Sequence, residues 1–71
     1  MKEIYIKEEF IRLDSALKFV GVVGTGGQAK IIIQEGLVSV NGEKCTMRGK
    51  KLRNGDNFEF EDNIYIIKNE R

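Results

Sequence analysis

Gly26-Gly27-Gln28-Ala29-Lys30-Ile31-Ile32-Ile33-Gln34-Glu35-Gly36-Leu37-Val38-Ser39-Val40-Asn41-Gly42 is the stretch on which the fold turns. Ala29, Ile32 and Ile33 stand at i, i+3 and i+4, a stripe along one side of a helix, and Gly36 stands where a helix commonly ends in a left-handed conformation. Against this, Ile31-Ile32-Ile33 is a β-branched run that on propensity alone favours a strand. The stripe and the terminating glycine together favour a helix from about Gly27 or Gln28 to Glu35. Beyond Gly36 the period changes. Val38 and Val40 alternate with Ser39, and Asn41-Gly42 is the pair that a two-residue type I′ turn prefers, so residues 37–46 read as a hairpin.

Toward the N-terminus, Gly21 to Gly27 holds four glycines and reads as the turn before this helix. A first helix is expected from about Phe10, with Phe10, Leu13, Leu17 and Val20 facing the core at spacings of three, four and three, and it should end by Gly21. Asp14 then lies near the helix start, where a negative charge suits the exposed N–H groups. Glu3-Ile4-Tyr5-Ile6 alternates as a short edge strand does. Toward the C-terminus, Asn54-Gly55-Asp56 turns the chain into Phe58-Glu59-Phe60-Glu61, which places both phenylalanines on one face. Asp62-Asn63 turns it again into a strand from Ile64 to Lys68. The expected architecture is α+β, two short helices packed on a small, mostly antiparallel sheet, as one domain over residues 1–71 with no linker or internal repeat.

Size and composition restrict the chemistry. A chain of 71 residues buries only about 60% of the surface its unfolded form exposes, so a deep, water-excluding catalytic pocket is hard to build. With no histidine and Cys45 as the single cysteine, the usual nucleophile–base pairs, the common zinc ligand sets and any internal disulfide are missing. Glu59, Glu61 and Asp62 sit on an alternating strand and turn and read as a solvated face. The expectation is a protein without catalytic residues, metal, cofactor or small-molecule substrate. Phe19 to Val23 and Ile31 to Ile33 fall far short of the roughly 20 apolar residues of a membrane helix, and the N-terminus is too acidic for a signal peptide. A reducing, cytoplasmic setting follows, with no membrane partner.

The charge is distributed unevenly. The net charge is +1, yet Lys44, Arg48, Lys50, Lys51 and Arg53 lie between residues 44 and 55 with no acid among them, while residues 56–71 sum to −3. A phosphate backbone responds to that local field. Arg48 and Arg53 can grip phosphate oxygens with paired donors, and Lys50 and Lys51 act as mobile point charges. A solvated lysine-rich loop is the plainer alternative. In Gly24-Thr25-Gly26-Gly27 the glycines admit a close backbone approach, and N–H groups at the start of the second helix point toward any bound phosphate; a purely structural turn competes with this reading. The turn lacks the Gly-Lys-Ser/Thr ending of a P-loop, which weighs against a nucleotide. Lys30 and Gln34 share the exposed side of the second helix, and Lys18 falls four residues after Asp14, as a minor ion pair would. Arg12 has acidic neighbours to pair with as an alternative to any ligand. Tyr5, Phe19 and Tyr65 are possible stacking platforms, but so small a domain needs its aromatics in the core.

The series Arg12-Leu13-Asp14, Leu17, Gln28-Ala29-Lys30, Ile33, Gly36, Val38, Val40-Asn41-Gly42 and Gly55-Asp56 resembles the RNA-binding domain named for ribosomal small-subunit protein four, over residues 12 to about 60. Thr25-Gly26-Gly27-Gln28-Ala29-Lys30 with Arg48-Gly49-Lys50-Lys51-Leu52 looks like the small stand-alone bacterial members linked to ribosome maturation. The resemblance implies a two-helix plus hairpin unit, the alpha-L motif, that docks on structured RNA through Arg12, the turn before the second helix and Lys30. Many members carry a basic residue in that turn where this chain has Gly26, which shifts the burden to residues 48–53. The expected RNA-facing set is Arg12, Thr25, Gly26, Gly27, Gln28, Lys30, Gln34, Lys44, Arg48, Lys50, Lys51 and Arg53. The expected partner is structured RNA, ribosomal RNA or a ribosomal subunit, bound by a monomer. A protein-interaction adaptor for an acidic or ribosomal protein is the alternative.

Overall fold

The computed structural model describes residues 1–70. In chain order its elements are β1 (Lys2–Ile6), β2 (Ile11–Arg12), α1 (Leu13–Phe19), α2 (Gly26–Gln34), β3 (Val38–Val40), β4 (Glu43–Lys44), β5 (Lys51–Leu52), β6 (Asn57–Phe60) and β7 (Asn63–Asn69). Five strands form one sheet in the order β1-β7-β6-β3-β4, and β2 and β5 form a separate two-stranded ribbon. All pairings are antiparallel except β1 with β7, which is parallel with Lys2 opposite Tyr65 and Ile6 opposite Asn69. This is the expected α+β arrangement of two helices and a mostly antiparallel sheet.

The ambiguous isoleucine run is helical. Within α2, Ala29 and Ile33 are buried and Ile32 is half-buried against the core, while Ile31 turns outward. The helix starts at a reciprocal cap: the Gln28 amide N–H donates to Thr25 Oγ1 at 3.1 Å, and the Gly24 N–H donates to Gln28 Oε1 at 2.7 Å. It ends in a Schellman motif, with Gly36 at φ +78°, its N–H donating to the Ile33 carbonyl and the Leu37 N–H to that of Ile32. α1 ends in the same way at Gly21, φ +83°, with Val22 N–H donating to the Leu17 carbonyl. At the β3–β4 turn Asn41 (φ +51°) and Gly42 (φ +86°) have the positive values of a type I′ turn. The β6–β7 connection also has two positive-φ residues, Glu61 and Asp62, which places it one residue earlier than Asp62-Asn63 and begins β7 at Asn63.

Two expectations are corrected. Phe10 is not on the first helix: α1 begins at Leu13, and Ile11 and Arg12 are extended because they pair with Leu52 and Lys51 of β5. The periodicity of Phe10 with Leu13 is therefore overridden by a ribbon partner far along the chain. Leu13 and Leu17 are buried as expected, and Val20 is half-buried. The aromatics are also not all in the core. Tyr65 is buried and stacks on Phe58 with ring centroids 4.9 Å apart, but Tyr5 and Phe19 are 52% and 64% exposed. On β1 the alternation gives the inner face to Ile4 and Ile6, so Tyr5 points outward and donates its hydroxyl to Glu3. Phe19, two residues beyond the buried Leu17, is rotated off the packed face of α1.

Candidate nucleic-acid interface

The start of α1 lacks a capping side chain. Its N-cap is Arg12, which makes no cap hydrogen bond, so the first N–H groups of the helix need acceptors from elsewhere. The basic segment supplies them: Leu13 N–H donates to the Lys50 carbonyl at 2.8 Å and Asp14 N–H to the Arg48 carbonyl at 3.1 Å. The pairing of Ile11 with Leu52 and of Arg12 with Lys51 continues this seam. Arg48 and Gly49 lie at the tip of a tight turn closed by the Lys50 N–H donating to the Met47 carbonyl. The cationic stretch is thus not a free loop; backbone hydrogen bonds fasten it across the N-terminus of α1.

Asp14 lies beneath that turn and is 6% exposed, the buried charged residue among the described residues. Its Oδ2 accepts from Arg12 Nη2 and from Arg48 Nε, each at 3.1 Å, and its Oδ1 accepts from the Ser15 N–H at 2.8 Å. The two arginine side chains remain 50% and 39% exposed. Arg12 therefore pairs with an acid and still presents half of its surface outward. The ion pair foreseen between Asp14 and Lys18 is replaced by these two, because the carboxylate turns inward to the basic segment while Lys18 stays on the exposed side.

Glycines border both guanidinium groups. A Cβ at Gly26 would stand 3.6 Å from Arg48 Nη2, and one at Gly49 would stand 3.5 Å from Arg12 Nη2. Arg48 thus brings a cation to the turn before α2, where the side chain of residue 26 offers none. Around this centre lie the exposed Thr25, Gly27 and Gln28 at the N-terminus of α2. The Thr25 hydroxyl and the Gln28 side-chain oxygen are already engaged in the helix cap. Lys30 and Gln34 are exposed one turn apart on α2.

The remaining cations form a second group. Lys51 Nζ stands 4.9 Å from the centroid of the Phe10 ring and Arg53 Cζ stands 5.7 Å from it, so one aromatic ring attracts both by cation–π interaction. The contact of Phe10 with two of the candidate cations is not legible in the sequence, since those partners come from β5 and the residue after it. The sequence reads Asp14 as a helix-start charge and as the partner of Lys18; the neighbouring Arg12 is the available signal for the pairing observed. Lys44 lies apart from the arginines. Its side chain crosses Gly36, where a Cβ would stand 3.0 Å from Lys44 Cδ, at the far end of α2 and about 15 Å along the helix from Gly26. Lys44 and Lys50 line one shallow groove with Asn41, Glu43 and Met47. Among the described residues no three His, Cys, Asp or Glu side chains gather as a metal ion requires, and no helix is long and apolar enough to cross a membrane.

The chain matches the S4 domain family over residues 4–68. It is also 43% identical, over 58 residues covering 82% of each chain, to the "Probable ribosome maturation protein RlbA" of Bacillus subtilis (strain 168).

Proposed function

The chain belongs to the S4 domain family, and from that premise we propose that it is a non-enzymatic RNA-binding protein that docks on structured RNA. Ribosomal RNA or a ribosomal subunit is the target, and ribosome maturation in the cytoplasm is the setting, in line with the name of the Bacillus relative. The observation that carries this reading is the joining of Arg12 and Arg48 through Asp14, with Arg48 reaching Gly26 at the N-terminus of α2 and the basic segment held across the start of α1 by backbone hydrogen bonds. A-form RNA hides its base edges in a deep, narrow groove, so a small rigid domain recognises phosphates, 2′-hydroxyls and shape. Cations of fixed spacing suit that task better than base-reading side chains.

The interface comprises Arg12, Thr25, Gly26, Gly27, Gln28, Lys30, Gln34, Arg48, Lys50, Lys51 and Arg53, with Lys44 as an outlying contact, and the protein acts as a monomer. Bulk bacterial ribosomal RNA folded in magnesium is a suitable probe. With about three to five phosphates neutralised, log affinity falls against log salt with a slope of about −2 to −5. The triple variant Lys50→Glu, Lys51→Glu, Arg53→Glu should keep its circular dichroism spectrum and lose this binding. An unchanged affinity overturns the proposal.

A second reading, an adaptor for an acidic or ribosomal protein, draws on the outward-facing Phe19, Ile31, Leu37 and Met47. It predicts a partner that stays bound after nuclease digestion; release of every partner by RNase counts against it.

A further inference from the structure

We infer that Asp14, although an acid on a surface that faces phosphates, is the positioning residue that joins Arg12 and Arg48 into one two-armed phosphate clamp. This rests on the RNA-binding reading. Arg12 Nη2 and Arg48 Nε both sit 3.1 Å from a single oxygen, Asp14 Oδ2, so two guanidinium groups are held close together. Without a charge between them they would repel, and each long side chain would sample many rotamers. The carboxylate removes both difficulties. Its own charge is turned inward: Asp14 is 6% exposed, and its other oxygen is occupied by the Ser15 N–H.

The arginines keep donors for a ligand. A guanidinium has five N–H donors in a fixed fork. Arg12 spends an Nη2 donor and Arg48 its Nε donor on Asp14, and neither guanidinium makes a further hydrogen bond among the described residues. Both side chains are partly exposed, at 50% and 39%. Their geometry is set during folding, so RNA binding does not bear the cost of ordering them. The backbone reinforces the arrangement, because the same Arg48 whose side chain contacts the Asp14 carboxylate accepts the Asp14 N–H with its carbonyl.

Asp14→Asn separates positioning from simple electrostatics. Removing a negative charge from an RNA-facing surface raises affinity if only net charge matters. A positioning role requires the reverse: affinity for folded bulk ribosomal RNA about tenfold weaker, together with a salt slope shallower by about one, the contribution of one lost phosphate contact. Partial unfolding of the variant lowers affinity at every salt concentration alike and leaves the slope as it was. Arg48→Lys provides a second arm that preserves the charge and spares the carboxylate. Lysine has no Nε–H and no fork, so the same loss and the same shallower slope are expected. Affinity at or above wild type in either variant, or a fall with unchanged slope, overturns the inference. In those cases wild-type protein still binds the RNA and the functional reading stands; absence of binding by wild type defeats that reading itself.

Discussion

Tyr5 shows how one contact alters the chemistry of an exposed side chain. Its hydroxyl donates to Glu3 Oε1 at 2.7 Å, and its pKa is raised above the ordinary phenol value, first by that hydrogen bond and then by the Glu3 charge, burial and the Glu70 charge. The phenol therefore keeps its proton to higher pH in the folded protein than in the unfolded chain. The stabilisation from this contact is complete below the unfolded pKa and disappears as pH rises through the folded one. Glu3→Gln should move the Tyr5 titration back toward the ordinary phenol range, which ultraviolet absorbance of the tyrosinate can follow. A titration unmoved by the substitution would contradict the assignment. The alternation Ile4-Tyr5-Ile6 already carries the information that Tyr5 faces outward, whereas composition alone, which asks for aromatics in the core, points the wrong way.

Among the elements, those governed by local chemistry were legible and those governed by distant partners were not. Asn41-Gly42, Gly21 and Gly36 announce their turns because a positive φ is needed there and few residues tolerate it. The isoleucine run of α2 is decided by its neighbours, Thr25 and Gln28 before it and Gly36 after it, rather than by its own propensity. The start of α1 is different. Phe10 continues the helical stripe in sequence, but Ile11 and Arg12 pair with β5, and the helix takes its first acceptors from Lys50 and Arg48. The same long-range pairing conceals the two-cation perch on Phe10 and the carboxylate shared by the arginines. Gly36→Ala tests the helix terminus. It imposes a left-handed conformation on an L-residue and crowds the Lys44 side chain, whose Cδ would lie 3.0 Å from the new Cβ. A loss of about 1–2 kcal/mol is expected in chemical denaturation, at an unchanged denaturant slope; equal stability would show that the strain is relieved elsewhere.

Over the whole molecule, opposite charges sort into separate regions while the net charge stays near zero. Residues 48–53 are fastened across the start of α1, whereas Glu59, Glu61 and Asp62 lie on or beside β6, so the two charge runs belong to different elements of the fold. The sheet places a separate demand on the chain. β7 is interior, bonded to β6 on one side and to β1 on the other, so a chain ending at Asp62 should lose cooperative unfolding and its dispersed amide resonances; retention of both would refute this. The parallel register of Lys2 with Tyr65 also orders events during synthesis. β1 must wait, with Ile4 and Ile6 uncovered, until β7 has been translated before it finds its partner. The helices and the β3–β4 hairpin face no such delay, so the sheet closes only after translation has passed β7.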